Sequence, residues 1–366
     1  MGLKKFQEGR CKTIMMEEVN SIINLQKKIV PELSETLLLR YNILREVTFD
    51  SPIGRRMLAT KLGLTERVLR AQVEFLKNSG LLFFSAAGMS VTKEGEMILK
   101  ELVAYVGKLK NLENLGKKIA NRFHIDKVVI ISGDCDKDTI VKKELGRATA
   151  RILEKILDDK GDNIIAVSGG STLAEVASNT HANIPNTVVV PARGGLGDKV
   201  EWQANTIAAV LAHRLGCKYK QLYLPDGVSE ELLNKILEED IGVRSVVNLV
   251  KKADVLVYGM SRADVMTSRR SFSDELFKKT ECRSAVGEAI GQYFNQDGEV
   301  VHVTNNAGLV MTDFDAIKKI IGVAGGSSKA EAILAVISAS KLNYLVTDEF
   351  AARRIVELLN ERESKK

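Results

Sequence analysis

The feature that most constrains this chain is a series of short apolar runs that do not alternate with polar residues. Val128-Val129-Ile130-Ile131, Ile164-Ile165-Ala166-Val167 and Val255-Leu256-Val257-Tyr258 send apolar side chains to both faces at once. A strand made from any of them must be covered on both sides. Similar segments recur at Val188 to Val190, Leu222 to Leu224, Val300 to Val303, Ile320 to Ala324 and Tyr344 to Val346, with helical stretches between them. From Asp126 onward the pattern predicts a mostly parallel sheet with helices on each side, a doubly wound Rossmann-like α/β unit.

The first third follows different rules. Pro31 to Thr48 carries Leu33, Leu37, Leu38, Tyr41, Ile43, Leu44 and Val47, mostly three and four apart, a helical face closed by Asp50-Ser51-Pro52. Pro52 suits the first position of a second helix with an inner stripe of Ile53, Met57, Leu58 and Leu62, ending at Gly63. Thr65 is an N-cap for a third helix in which Leu69, Val73 and Leu76 face inward, so Arg67, Arg70 and Glu74 point away. Leu81 to Phe84 and Met89 to Thr92 then flank Ser85-Ala86-Ala87-Gly88 as a small hairpin. Helix, turn, helix and hairpin predict a winged helix-turn-helix over residues 1–92. Residues 93–123 read as one long linker helix; Leu99, Leu102, Val106 and Leu109 suit either a short coiled-coil seam or a connector packed on its own domain.

Charge separates the same regions. Residues 1–123 hold 21 Lys+Arg against 13 Asp+Glu, a net +8, and the whole-chain totals of 53 and 47 leave 32 against 34, a net −2, for residues 124–366. Excess positive charge confined to the region with the helix-turn-helix pattern favours a polyanion as its partner over a merely solvated basic surface. Arg67 and Arg70 are the candidates for contact with bases or phosphates, and Arg55, Arg56 and Lys61 for gripping the backbone. Cys11, Cys135, Cys217 and Cys282 are scattered, without CxxC or neighbouring histidine, so neither a zinc site nor a disulfide framework is expected, and a reducing cytoplasm fits. No apolar run reaches the roughly 18 residues of a membrane span.

Two strands end alike. Ile165 to Val167 runs into Ser168-Gly169-Gly170-Ser171-Thr172, and Ile321 to Ala324 into Gly325-Gly326-Ser327-Ser328-Lys329, each before a helix. Glycines that let the backbone approach a ligand, with amides and hydroxyls at a helix N-terminus, form an anion cradle that needs no metal. A tight turn alone would account for one such loop; two, one followed by Lys329, favour phosphate. Neither GxxxxGK[ST] nor GxGxxG follows a strand, which argues against nucleotide binding. Arg193, between glycine-rich turns, and the Arg269-Arg270 pair are further candidate phosphate ligands. No catalytic arrangement stands out: His124, His181, His213 and His302 are far apart, there is no GxSxG or HExxH, and although a carboxylate such as Glu288 could serve as a general base, most acidic residues in such a fold are helix caps or surface charges.

Ser51-Pro52-Ile53-Gly54-Arg55-Arg56 through Leu64-Thr65-Glu66-Arg67-Val68-Leu69-Arg70, with Val73 and Leu76, resembles the DNA-binding domain of the central glycolytic genes regulators, a SorC/DeoR-type repressor family. The remainder, 124–366, resembles the SorC-type sugar-phosphate-binding effector domain, most specifically in Val-Pro-Ala-Arg-Gly-Gly, Gln-Ala-Asn-Thr and Ala-Gly-Gly-Ser-Ser-Lys. The resemblance implies a repressor of a glycolytic operon for triose-phosphate interconversion, a homodimer or tetramer on double-stranded operator DNA, with no cofactor and with fructose 1,6-bisphosphate as effector. It also implies effector contacts at Gly169, Gly170, Ser171, Thr172, Arg193, Gln203, Arg269, Glu288 and Lys329. Ser171 stands where relatives often have threonine, which keeps the hydroxyl. SorC domains are similar to sugar-phosphate isomerases and deaminases, so such an enzyme is the rival reading. The acidic Asp-Gly-Ala-Asp-type segment of those isomerases is replaced here by Tyr258-Gly259-Met260-Ser261-Arg262, which argues against isomerisation.

Overall fold

A computed structural model describes residues 22–364 apart from 24, 159–160, 196–198, 225–228, 271–283 and 306. The chain divides into two compact units, Met1–Leu112 and Glu113–Lys366.

In the first unit, α1 (Pro31–Phe49), α2 (Arg55–Leu62) and α3 (Glu66–Asn78) enclose a core of Ile43, Leu44, Val47, Leu58, Leu69, Val73 and Leu76. The α3 cap is as expected, with Thr65 Oγ1 accepting from Val68 N–H at 3.3 Å. The second helix starts at Arg55 rather than Pro52, because Ile53 is drawn out of it into a bridge with Met89. Met57 is 59 % exposed and so faces away from the core its spacing suggested. Strands β1 (Leu82–Ser85) and β2 (Gly88–Val91) pair antiparallel from Leu82↔Val91 to Ser85↔Gly88 across Ala86-Ala87. That hairpin is the wing.

The single long linker helix is not found. It is two helices, α4 (Lys93–Leu109) and α5 (Leu112–Phe123), broken where Asn111 takes a left-handed φ of 57° that a continuing helix cannot contain. Leu99 and Leu102 of α4 pack against the winged core, as a connector folded on its own domain does. Ile119 of α5, with Leu115 and Phe123, joins the core of the second unit instead.

That second unit is built on a seven-stranded parallel sheet in the order β3-β13-β12-β7-β4-β5-β6. Its strands are β3 (Lys127–Ile131), β4 (Asn163–Val167), β5 (Thr187–Pro191), β6 (Lys218–Tyr219), β7 (Val255–Gly259), β12 (Lys319–Val323) and β13 (Tyr344–Asp348). Alternate residues of each strand feed opposite faces: Ala166, Leu256, Ile320 and Leu345 one core, Ile165, Val257, Ile321 and Val346 the other. This accounts for the continuous apolar runs. Helices α6 (Thr139–Ile156), α7 (Ser171–Ser178) and α8 (Ala204–Leu215) cover the second face. Helices α9 (Glu230–Glu239), α10 (Ile241–Lys251), α12 (Ala330–Ala339) and α13 (Glu349–Glu363), with α5, cover the first.

Two strand expectations need correction. Leu222 to Leu224 forms no strand; Lys218–Tyr219 takes the edge beside β5, and Asn205 satisfies the Leu222 backbone through both its side-chain oxygen and nitrogen. Val300–Val303 is a strand, β11, but it belongs to a separate antiparallel sheet with β8 (Ser261–Arg262), β9 (Ala285–Ala289) and β10 (Gln292–Asn295). Helix α11 (Ala263–Arg270) follows β8.

Candidate ligand-binding cleft and basic recognition face

The chain leaves β4 toward β5 on one side of the sheet and leaves β7 toward β12 on the other, so a crevice opens between the carboxyl ends of β4 and β7. Ligands of open α/β sheets bind at such a reversal. Ser168 ties the two ends together, its N–H donating to Val257 O at 3.0 Å and its Oγ accepting from Gly259 N–H at 3.0 Å. The cleft is lined by Gly169, Gly170, Thr172, Arg193, Lys199, Trp202, Met266, Arg269 and Glu288, among others.

Local backbone chemistry sets its floor. Gly170 sits at φ 122°, ψ 156°, a conformation essentially restricted to glycine, and caps α7 with no side-chain hydrogen bond. The first amides of α7 are therefore left to whatever enters the cleft. A Cβ on Gly169 would lie 2.8 Å from Trp202 O, which also accepts from Gly170 N–H at 2.8 Å. Glycine is needed at both positions, for two different reasons.

The cleft's walls carry the charge. Arg193 is buried, with Nη1 3.3 Å from Glu288 Oε1 and Nη2 donating to Thr304 Oγ1 at 3.1 Å. Glu288 reaches it because Ile290 and Gly291, both at positive φ, turn β9 into β10 in two residues, and Gly291 N–H donates back to Glu288 Oε1 at 2.7 Å. Arg269 is exposed and lies 5.9 Å from the Trp202 ring, which Lys199 also faces at 4.5 Å. The Arg270 side chain lies outside the described residues.

Of the nine expected effector contacts, the cleft lining includes Gly169, Gly170, Thr172, Arg193, Arg269 and Glu288. Ser171 starts α7 beside them, and Gln203 follows Trp202 as the residue that opens α8, but neither is in the lining. Lys329 belongs to the second glycine loop. There the expected free amides are already used: Gly326 N–H donates to Asp348, Ser327 N–H to Asp134 and Ser328 N–H to Asp136. Lys329 is half-buried, and that burial, followed by the neighbouring Lys142, pulls its ammonium below the ordinary lysine range. Sequence reasoning missed Lys199 and Trp202, both in the cleft lining. The lone tryptophan, directly after a glycine-rich segment and directly before Gln203, was the available signal.

On the winged unit, Arg55, Arg67 and Arg70 are exposed and make no ion pair or hydrogen bond among the described residues. Arg56 pairs with Glu66 at 3.1 Å, both largely solvated, and Lys61 pairs with Asp50. Such solvated pairs are weak and exchange readily for another anion. Arg40 stacks on Phe75 at 3.5 Å and donates to Gln72, bracing α1 against α3.

Among the described residues no group of three His, Cys, Asp or Glu side chains is placed to hold a metal, and no helix is long and apolar enough to cross a membrane.

Residues 37–106 match the CggR N-terminal DNA binding domain, and residues 108–357 match the Sugar-bind family, a sugar-binding domain. The chain is 41 % identical over 344 residues to the central glycolytic genes regulator of Priestia megaterium, covering 93 % of this chain and 100 % of that one. It is 42 % identical over 340 residues to the regulator of the same name from Bacillus subtilis, covering 92 % and 99 %. Among solved structures, a SorC family transcriptional regulator from Enterococcus faecalis superimposes with a TM-score of 0.61 at 34 % identity, over 66 % of this chain and 99 % of that one. The full-length sorbitol operon regulator SorC from Klebsiella pneumoniae gives 0.60 at 15 % identity over 87 % and 98 %, a likeness of fold.

Proposed function

The chain belongs to the central glycolytic genes regulator family, and from that membership we propose that it is a cytoplasmic repressor whose hold on operator DNA is set by a phosphorylated sugar, fructose 1,6-bisphosphate. It is a transcriptional regulator with a DNA-binding and a sugar-binding domain, and its relatives are regulators rather than isomerases.

The observation that carries the effector reading is the uncapped N-terminus of α7 behind Gly170, opening on a cleft with Arg269 and Lys199 on its wall. One phosphate sits on Gly169 to Thr172, bound by backbone amides and the hydroxyls of Ser171 and Thr172. Arg193 and Glu288, held rigid by each other, face the sugar hydroxyls with Gln203, and Arg269 and Lys329 take the second phosphate. Residues 1–92 read DNA and 124–366 bind the effector, with 93–123 between them. A dimer or tetramer puts paired α3 helices into successive major grooves, Arg67 and Arg70 toward the bases and Arg55, Arg56 and Lys61 on the backbone. A ligand that weakens operator binding about 100-fold must prefer one quaternary state by roughly 3 kcal/mol.

The test is a gel shift on the chain's own upstream DNA, titrated with fructose 1,6-bisphosphate, glucose 6-phosphate and dihydroxyacetone phosphate, beside an assay for sugar-phosphate turnover. Release or remodelling by the bisphosphate at the lowest concentration supports the proposal. A product peak, or a shift indifferent to all three, overturns it.

A further inference from the structure

The single tryptophan joins the first glycine loop to the cations of the cleft. Its carbonyl accepts from Gly170 N–H at 2.8 Å, and its own N–H donates to Lys199 O at 2.9 Å, which folds Val200–Trp202 into one turn of 3-10 helix. That turn returns the Lys199 side chain over the indole, with Nζ 4.5 Å from the ring centroid. Arg269, near the end of α11, brings Cζ to 5.9 Å from the same centroid. Both distances lie within the roughly 6 Å at which an aromatic face attracts a cation, and tryptophan attracts most strongly. Among the described residues Lys199 forms no ion pair, so the indole is what its ammonium meets.

Lys199 and Arg269 are both exposed. A long cationic side chain on a surface samples many rotamers, and ordering one on a ligand typically weakens binding by about two- to tenfold. The indole removes part of that loss beforehand, because it keeps both side chains at the cleft while their charges stay available. A carboxylate partner would hold them as firmly but would neutralise them. The ring's own place is fixed through its backbone: the Trp202 carbonyl lies where a Cβ on Gly169 would come to 2.8 Å, and the next residue, Gln203, opens α8.

We propose that Trp202 is a positioning residue that presents Lys199 and Arg269 to an anionic ligand, and that Lys199 is a further contact for a phosphate seated on the first glycine loop. The inference rests on the sugar-phosphate reading above. It adds to that reading a residue that touches the ligand, Lys199, and one that acts through its neighbours, Trp202. It also separates two uses of an aromatic ring in a sugar site. A ring that stacks on the sugar itself acts independently of the cations, whereas a ring that orients cations is worth little without them.

The experiment measures dissociation constants for fructose 1,6-bisphosphate on the full chain, by calorimetry, in the wild type, Trp202→Leu, Trp202→Phe, Lys199→Met and the double variant of Trp202→Leu with Lys199→Met. Leucine keeps the carbonyl that holds Gly170 N–H and removes the π face, so Trp202→Leu should weaken binding about fivefold, and Trp202→Phe should recover most of that loss. Lys199→Met should weaken binding about tenfold in the wild type and about threefold or less once the ring is gone. An equal factor for Lys199→Met in both backgrounds, or a phenylalanine variant as weak as the leucine one, overturns the proposal. Should Trp202→Leu fail to fold, the fluorescence of Trp202 in the free protein decides: its emission should shift in Lys199→Met, and an unchanged spectrum sinks the idea. A wild type that binds no bisphosphate brings down the effector reading and this proposal with it, whereas binding with additive losses brings down this proposal alone.

Discussion

Arg193 and Glu288 form a buried ion pair, 3.3 Å from Nη1 to Oε1, across a gap of 95 residues in the chain, and both line the cleft. Removing one partner of such a pair strands the other charge out of water and typically costs about 3–5 kcal/mol. Glu288→Ala should therefore lower the melting temperature of the α/β unit measurably in scanning calorimetry. The double change Arg193→Met with Glu288→Leu should recover most of that loss while still failing to respond to a sugar phosphate. If Glu288→Ala is as stable as wild type, the pair does not hold the cleft wall.

Gly170 offers a cleaner separation of fold from function. A Cβ there meets nothing within 4 Å, but φ 122° and ψ 156° lie where an L residue is strained by roughly 1–3 kcal/mol. Gly170→Ala should fold, with the loop relaxed away from that geometry and the α7 amides no longer presented together. The single tryptophan, Trp202, lies in the cleft, so its fluorescence is the readout. Titration with a sugar phosphate should shift that signal in the wild type and leave it nearly flat in the variant at the same concentrations.

The parallel sheet was legible because both of its faces are covered, so burial wrote itself into unbroken runs such as Val128 to Ile131. The glycine loops were legible for a similar reason: positive φ at Gly170 and Gly326 admits little else. The small antiparallel sheet was not. Ala285–Ala289 contains glycine and glutamate, and its turn, Ile290-Gly291, has a β-branched residue at φ 50° that no turn preference suggests. The ion pair of Glu288 with Arg193 was not legible in the sequence, because tertiary structure alone brings the two together. In the linker, the helix break is set by Asn111 at φ 57°, which the spacing of the leucines does not announce. Nor could local pattern reveal that Asp134, Asp136 and Asp348 fill the second loop, since those contacts join β3, β12 and β13.

The winged unit's arginines should divide by what they touch. Arg67→Ala, if its guanidinium reads a base edge, should cost about 1–3 kcal/mol on the operator and little on random DNA. Arg55→Ala should weaken both alike and lower the salt dependence of binding by about one unit of slope. Gel shifts at several salt concentrations separate the two. Equal loss on both DNAs for Arg67→Ala would reassign it to the backbone.

If Lys329 takes the second phosphate as proposed, effector binding should be a proton-uptake reaction. In the free protein its ammonium is held below the ordinary 10.5 by burial first, then by Lys142 and Arg269, while Cys135 and Asp136 pull the other way. A phosphate dianion beside it favours the charged form, so the complex binds more protons than its separated parts. Affinity should be greatest below the depressed value and fall as pH rises through it, at a lower pH than an unperturbed lysine would require. Measurement at about pH 8.5 keeps the sugar phosphates fully ionised, since their second pKa is near 6. There and at rising pH, calorimetry in buffers of different ionisation enthalpy should show uptake in the wild type that grows as the pH approaches the depressed value and is absent in Lys329→Met. Heats that do not depend on the buffer would mean the lysine is already fully protonated in the free protein, or that no phosphate reaches it.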